Sequence, residues 1–181
     1  MHAKPHKAKT ISAKPPPSPR LPLALITTLG LGHLRPASGT WGSLPPAVLA
    51  GVLILTDQAG TTLWYALLAA VTIFFSIACV RFGHLAEETF GKKDPSQAVA
   101  DETAGMALTL LFLPTWWAHD HRTLLAYAAG AFVLFRLADI LKLPPANQLQ
   151  SIRGGWGILL DDLAAALQAG AVLIAGAWVL K

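Results

Sequence analysis

Five runs of apolar residues set the pattern of the chain, at about 44–56, 62–80, 104–117, 123–141 and 157–180, separated by polar stretches rich in glycine and proline. A helix rises 1.5 Å per residue, so a bilayer core ~30 Å thick asks for ~20 apolar residues. Several runs are shorter than that. The pattern therefore allows tilt, a partly re-entrant first run or local thinning of the bilayer. The fold class it implies is all-α, a polytopic membrane bundle of about five apolar helices. Gly130, Gly170 and Gly176, with many alanines, supply the small surfaces that let helices approach closely. No repeat or second domain interrupts residues 23–181, which read as one helical unit.

Composition agrees. The chain is 54% hydrophobic and 13% charged with a mean hydropathy of +0.50, well short of the ~25% charge of an ordinary soluble domain. Its one cysteine, Cys79, lies in an apolar run, which leaves no disulfide framework and no cysteine-rich zinc site. Residues 1–22 carry Lys4, Lys7, Lys9, Lys14 and Arg20, no acid, and the run P-P-P-S-P, the composition of a disordered basic tail. The apolar stretch 21–31 is broken by Pro22 and Gly30 and lacks an A-x-A-like cleavage site, so the tail reads as retained. It is either simply solvated or held to anionic lipid head groups at roughly 1 kcal/mol per basic residue. The net charge of +4 sits in this tail and between the apolar runs, not along one polar face, which argues for membrane topology and against nucleic acid. With the tail in the cytoplasm, five crossings put Arg81, Lys92, Lys93, Lys142 and Arg153 inside, leaving Arg122 and Lys181 on the far side. Four polar clusters then share the inner side.

The first cluster is R-P-A-S-G-T-W-G-S at 35–43, where Gly39 and Gly42 with the hydroxyls of Thr40 and Ser43 suit a phosphate at a helix start. Plain capping by Ser43, with Pro45 and Pro46 in the first turn, explains the same residues. The second, 91–106, holds Lys93, Asp94, Asp101 and Glu102 ahead of an apolar helix. One acid there gains from the helix dipole, whereas three suit a hard cation such as Mg²⁺. In the third, Arg136, Asp139 and Lys142 follow one oblique helical stripe, either beside a bound phosphate and metal or as an internal ion pair with Lys142 reaching for the interface. The fourth is R-G-G-W-G-I-L-L-D-D at 153–162: Gly154 and Gly155 permit close approach of phosphate or backbone, and Asp161 and Asp162 are acids inside an apolar helix, where each costs ~3 kcal/mol unless something compensates. Side chains adjacent in a helix point ~100° apart, so these two carboxylates cannot both face one partner, though both can border a wedge between packed helices, one on a metal and the other orienting water. The histidines point less clearly to chemistry: His119 and His121 flank Asp120 in a presumed outer turn, while His33 and His84 lie inside. Trp116 and Trp117 suit an interfacial belt.

Taken together, S-G-T-W-G-S, K-D-P-x(5)-D-E-x-x-G, F-R-x-x-D-I-L-K and G-G-W-G-I-L-L-D-D, in that order over about residues 24–180, resemble the phosphatidylglycerophosphatase A family. Ser38, Asn147 and Gln150 depart from its usual proline, arginine and acid. The resemblance implies a Mg²⁺-dependent phosphatase of a bacterial inner membrane. Its substrate would be phosphatidylglycerophosphate, handled on the cytoplasmic face. The expected metal ligands are drawn from Asp101, Glu102, Asp139, Asp161 and Asp162. Asp101, Asp139, Asp162 and Lys142 are the expected catalytic residues, and Thr40, Ser43, Lys93, Asp94, Arg136, Lys142, Gly154 and Gly155 the expected phosphate or substrate contacts. Two other enzyme classes fit less well: the histidine-dependent lipid phosphatases, because A-S-G-T lacks their histidine, and the lipid phosphotransferases, because their longer acidic motif is missing. A small transporter or channel needs polar residues across the whole bilayer, whereas these acids crowd one face. Lipid phosphatases of other head-group specificity stay open.

Overall fold

A computed structural model of the chain describes residues 20–116, 120–144, 146–149, 152 and 154–179. The expected tail up to residue 19, Trp117, His119, Gln150, Arg153 and Lys181 lie outside the described residues. Among these residues seven α-helices follow in order: α1 (Arg20–Ile26), α2 (Ser38–Leu55), α3 (Thr62–Phe90), α4 (Ala100–Leu111), α5 (His121–Leu141), α6 (Ala146–Leu149) and α7 (Gly155–Val179). No strand occurs among the described residues. Among the described residues, four helices are long and apolar enough to cross a membrane: α2, α3, α5 and α7.

The third apolar run behaves differently from the other four. It folds as α4, whose 12 residues reach only ~18 Å, and it is buried nearly all round, with Ala100, Thr103, Ala104, Gly105, Met106, Ala107, Thr109 and Leu110 all enclosed. A helix apolar on every side belongs inside a bundle. α4 touches α2, α3, α5 and α7, and its small residues make this feasible: a Cβ on Gly105 would lie 2.7 Å from the Phe135 ring. The bundle turns its apolar side chains outward as well as inward, with Val48, Val52, Ile73, Phe74, Ile77, Val133, Leu137 and Val172 more than half exposed or close to it, as a lipid-facing belt requires.

Local sequence sets the ends. The Thr61 hydroxyl accepts from the Trp64 amide at 3.4 Å to start α3, and Gly91, at φ 67°, ends it. α3 spans 29 residues, ~44 Å of helix, so it outruns the apolar segment and carries Arg81, His84 and Glu87 beyond it. The start of α2 differs from expectation. The helix begins at Ser38, after Ala37 at φ 55°, and Ser43 is not its cap: its hydroxyl donates to the Gly39 carbonyl at 2.8 Å one turn back. Pro45 and Pro46 therefore lie in the helix interior, where each removes a backbone donor. The carbonyl that Pro46 leaves free, on Gly42, accepts instead from the Thr103 hydroxyl of α4 at 2.7 Å. Residues 20–22, expected to end the tail, are helical, and α1 packs on α3. The turn after it is tied to α4: the Val99 amide donates to Ile26 at 2.9 Å, and Thr28 and Thr103 share a 2.8 Å hydroxyl contact.

Candidate active site

α4 and α7 enter the bundle from the same end, and α5 finishes there. Asp101 and Glu102 occupy the first turn of α4, Asp139 the last turn of α5, and Asp161 and Asp162 the second turn of α7. Sequence distance is thereby cancelled by topology. Asp101, Glu102 and Asp162 each bring a carboxylate oxygen into a group whose atoms lie within 4.8 Å of one another. Asp101 is 6% exposed and Asp162 2%. Asp101 Oδ1, Glu102 Oε2 and Asp162 Oδ2 are sealed from solvent with no hydrogen-bond partner, a condition that costs free energy unless a ligand relieves it. Among the described residues this is the one group of at least three such side chains placed to hold a metal.

The other two expected ligands are otherwise engaged. Asp139 Oδ2 pairs with Arg136 Nη1 at 2.7 Å across one helical turn, and it stands close enough to Glu102 and Asp162 for their charges to act on one another. Asp161 turns away from its neighbour to the Lys142 ammonium, with which it forms an ion pair. The ~100° offset between adjacent helical side chains thus sends Asp162 to the carboxylate group and Asp161 to a cation. Lys142 leaves the stripe of Arg136 and Asp139 because α5 ends at Leu141, and Lys142 takes φ 46°. Burial draws its pKa down, but the hydrogen bond and charge of Asp161, with Asp162 and Asp139 behind it, outweigh that and hold it above its ordinary value.

α2 closes the site through an absence. Gly39 lies so near that a Cβ would sit 2.4 Å from Glu102 Oε1 and 2.6 Å from Arg136 Nη2, so a larger residue there would displace the ends of those two side chains. Arg136 Nε has no partner within the protein, leaving a donor for an anion. Thr40 is half-buried and Ser43 fully buried, its hydroxyl spent on the backbone. Lys93 and Gly154, with His84 and Glu87, line a hollow of about 530 Å³. Asp94 takes φ 49°, and its amide donates to Glu87 Oε1 at 3.5 Å. Gly154 adopts φ 73°, while Gly155 meets α3, a Cβ there falling 2.2 Å from the Cys79 carbonyl oxygen. The contact made by Gly155 is a helix crossing. His84 is one of the two histidines that the sequence placed on the inner side; Glu87 escaped the sequence reading, although Arg81, His84 and Glu88 at spacings of three and four continue α3 as a polar face.

The sequence profile described as Phosphatidylglycerophosphatase A matches residues 24–177. A Haemophilus influenzae protein named Phosphatidylglycerophosphatase A is 33% identical over 83% of this chain and 85% of its own length. The Escherichia coli protein of the same name is 33% identical over 50% of this chain and 49% of its own. A Bacteroides thetaiotaomicron protein provisionally named phosphatidylinositol-3-phosphatase is 29% identical over 88% of this chain and 96% of its own. No solved structure matches the chain significantly.

Proposed function

The chain belongs to the phosphatidylglycerophosphatase A family and is a membrane phosphatase, and on that premise we propose that it hydrolyses the terminal phosphomonoester of phosphatidylglycerophosphate to phosphatidylglycerol and phosphate. The observation that carries the reading is the sealed trio Asp101, Glu102 and Asp162, whose unpartnered oxygens call for a cation. An all-oxygen donor set of this kind fits Mg²⁺. When bound, the ion supplies Lewis-acid polarisation of the phosphate and acidifies water.

The chain's own residues do the rest. Arg136, through the donors that Asp139 leaves free, and Lys142 offset the negative charge that grows on the phosphoryl oxygens. Asp139 and Asp161 fix those two cations in place. A carboxylate of the cluster accepts the proton of the attacking water as the new P–O bond forms and the ester P–O bond breaks, the departing glycerol oxygen ending protonated. Gly39 keeps a side chain out of the space beside Glu102 and Arg136. Basic residues near the site end of the bundle favour a cytoplasmic site in a bacterial inner membrane.

The Bacteroides relative favours a second reading, in which the head group is a phosphorylated inositol. Both substrates carry a phosphomonoester on an alcohol joined by a phosphodiester to diacylglycerol. Phosphate release from each lipid by purified protein, with Mg²⁺ or with chelator, tests both. Magnesium-dependent release favouring phosphatidylglycerophosphate is expected; undiminished release under chelation contradicts the metal, and preference for the inositol lipid selects the second reading.

A further inference from the structure

α3 and α7 run antiparallel and cross tightly around Gly83 and Gly155, a Cβ on Gly83 falling 2.6 Å from the Gly155 Cα. On the apolar side of that crossing the two helices part. Ile77 and Val80 of α3 with Trp156, Leu159 and Leu163 of α7 line an open groove of about 520 Å³, and Arg81 stands in its wall at the end nearest the crossing. Ile77 is 61% and Trp156 56% exposed. One turn further along α3, His84 and Glu87 line the polar hollow with Lys93 and Gly154. His84 and Glu87 of the hollow continue the α3 wall of the groove, and Gly154 immediately precedes its α7 wall.

We infer that this α3–α7 seam holds one acyl chain of the phospholipid substrate, with Arg81 on its phosphodiester, so that the head group enters the hollow beside the catalytic acids. The inference rests on the lipid-phosphatase reading above and adds how the substrate is held. An apolar seam without charge would accept any bilayer tail. An arginine at its upper end selects a tail whose head begins with an anionic phosphate, since the planar guanidinium matches phosphate oxygens. Bilayer tails are as apolar as leucine, so moving a chain from lipid to groove gains little by the hydrophobic effect. What the groove contributes is orientation, fixing the lipid's depth and direction so that its monoester meets Arg136 and Lys142.

The test compares dipalmitoyl and dihexanoyl phosphatidylglycerophosphate in mixed micelles with the purified full chain. Ile77→Trp fills the groove and is expected to lower the ratio of kcat/KM for the long-chain over the short-chain lipid about tenfold, the scale of a positioning loss. Arg81→Gln is expected to raise KM about tenfold for both lipids with kcat little changed, Arg81→Lys recovering part. Ile77→Phe carries the same test should the tryptophan variant fail to fold. A chain-length ratio unmoved by either filler, or a KM indifferent to Arg81→Gln, overturns the groove while leaving the reaction standing. Wild-type protein inactive on both lipids refutes the reaction and the groove with it.

Discussion

At the end of the bundle remote from the site, Asp120 accepts from the Thr123 amide at 2.9 Å and Asp57 meets His121 at 2.8 Å, both in the open. At the other end Asp101, Asp139, Asp161 and Asp162 are all buried. The residue types are alike; the environments are opposite. Acids that cap helices in water satisfy themselves with a backbone amide or a neighbour and cost nothing to keep. Acids buried with oxygens unpartnered cost stability, and persist where a ligand repays them. The contrast separates structural carboxylates from functional ones better than their number does.

If the contrast holds, the largest effect follows from Asp101→Asn or Asp162→Asn. Each is expected to reduce kcat for phosphate release about a thousandfold, the scale at which single charge-stabilising groups act, while the thermal midpoint without metal stays the same or rises because a buried charge is gone. An intermediate effect belongs to the Lys142–Asp161 pair. Lys142→Met strands the Asp161 carboxylate, which is 3% exposed, and is expected to destabilise the protein by about 3 kcal/mol. Lys142→Met with Asp161→Leu should recover most of that in thermal denaturation without recovering activity.

The smallest effect lies at the far end. The Thr123 backbone and side-chain hydrogen bonds hold the Asp120 pKa below its ordinary value. Its contribution to stability is therefore present above the unfolded value, ~3.9, and fades as pH falls through the lower folded one. Asp120→Ala should flatten that acid limb slightly in a pH series of melting curves and leave phosphate release unchanged.

Much of this was legible in the sequence. Apolar runs gave the helices of membrane-crossing length, because these depend on composition over many residues. The assembly of Asp101, Glu102 and Asp162 was readable as far as their common side. Which carboxylate meets which partner was not: Asp161 and Asp162 look identical in the chain, and only the angular offset on α7 separates them. The third run read as a crossing, since apolar length does not distinguish lipid from protein surroundings; the density of alanine, glycine and threonine in α4 was the available sign of protein on all sides. The start of α2 was missed because serine before two prolines is a strong capping signal. It was overridden by Thr103, whose hydroxyl satisfies the Gly42 carbonyl that an interior proline leaves free. The seam between α3 and α7 had no local signal, as its walls lie far apart in sequence.

The central claim, that the sealed carboxylates hold a divalent ion, is tested most directly by Mn²⁺ binding to the purified protein, followed by electron paramagnetic resonance without substrate. The account predicts a saturable protein-bound signal, displaced by Mg²⁺ and lost in Asp162→Asn but kept in Asp120→Ala. Equal binding by wild type and Asp162→Asn, or none by either, would contradict it.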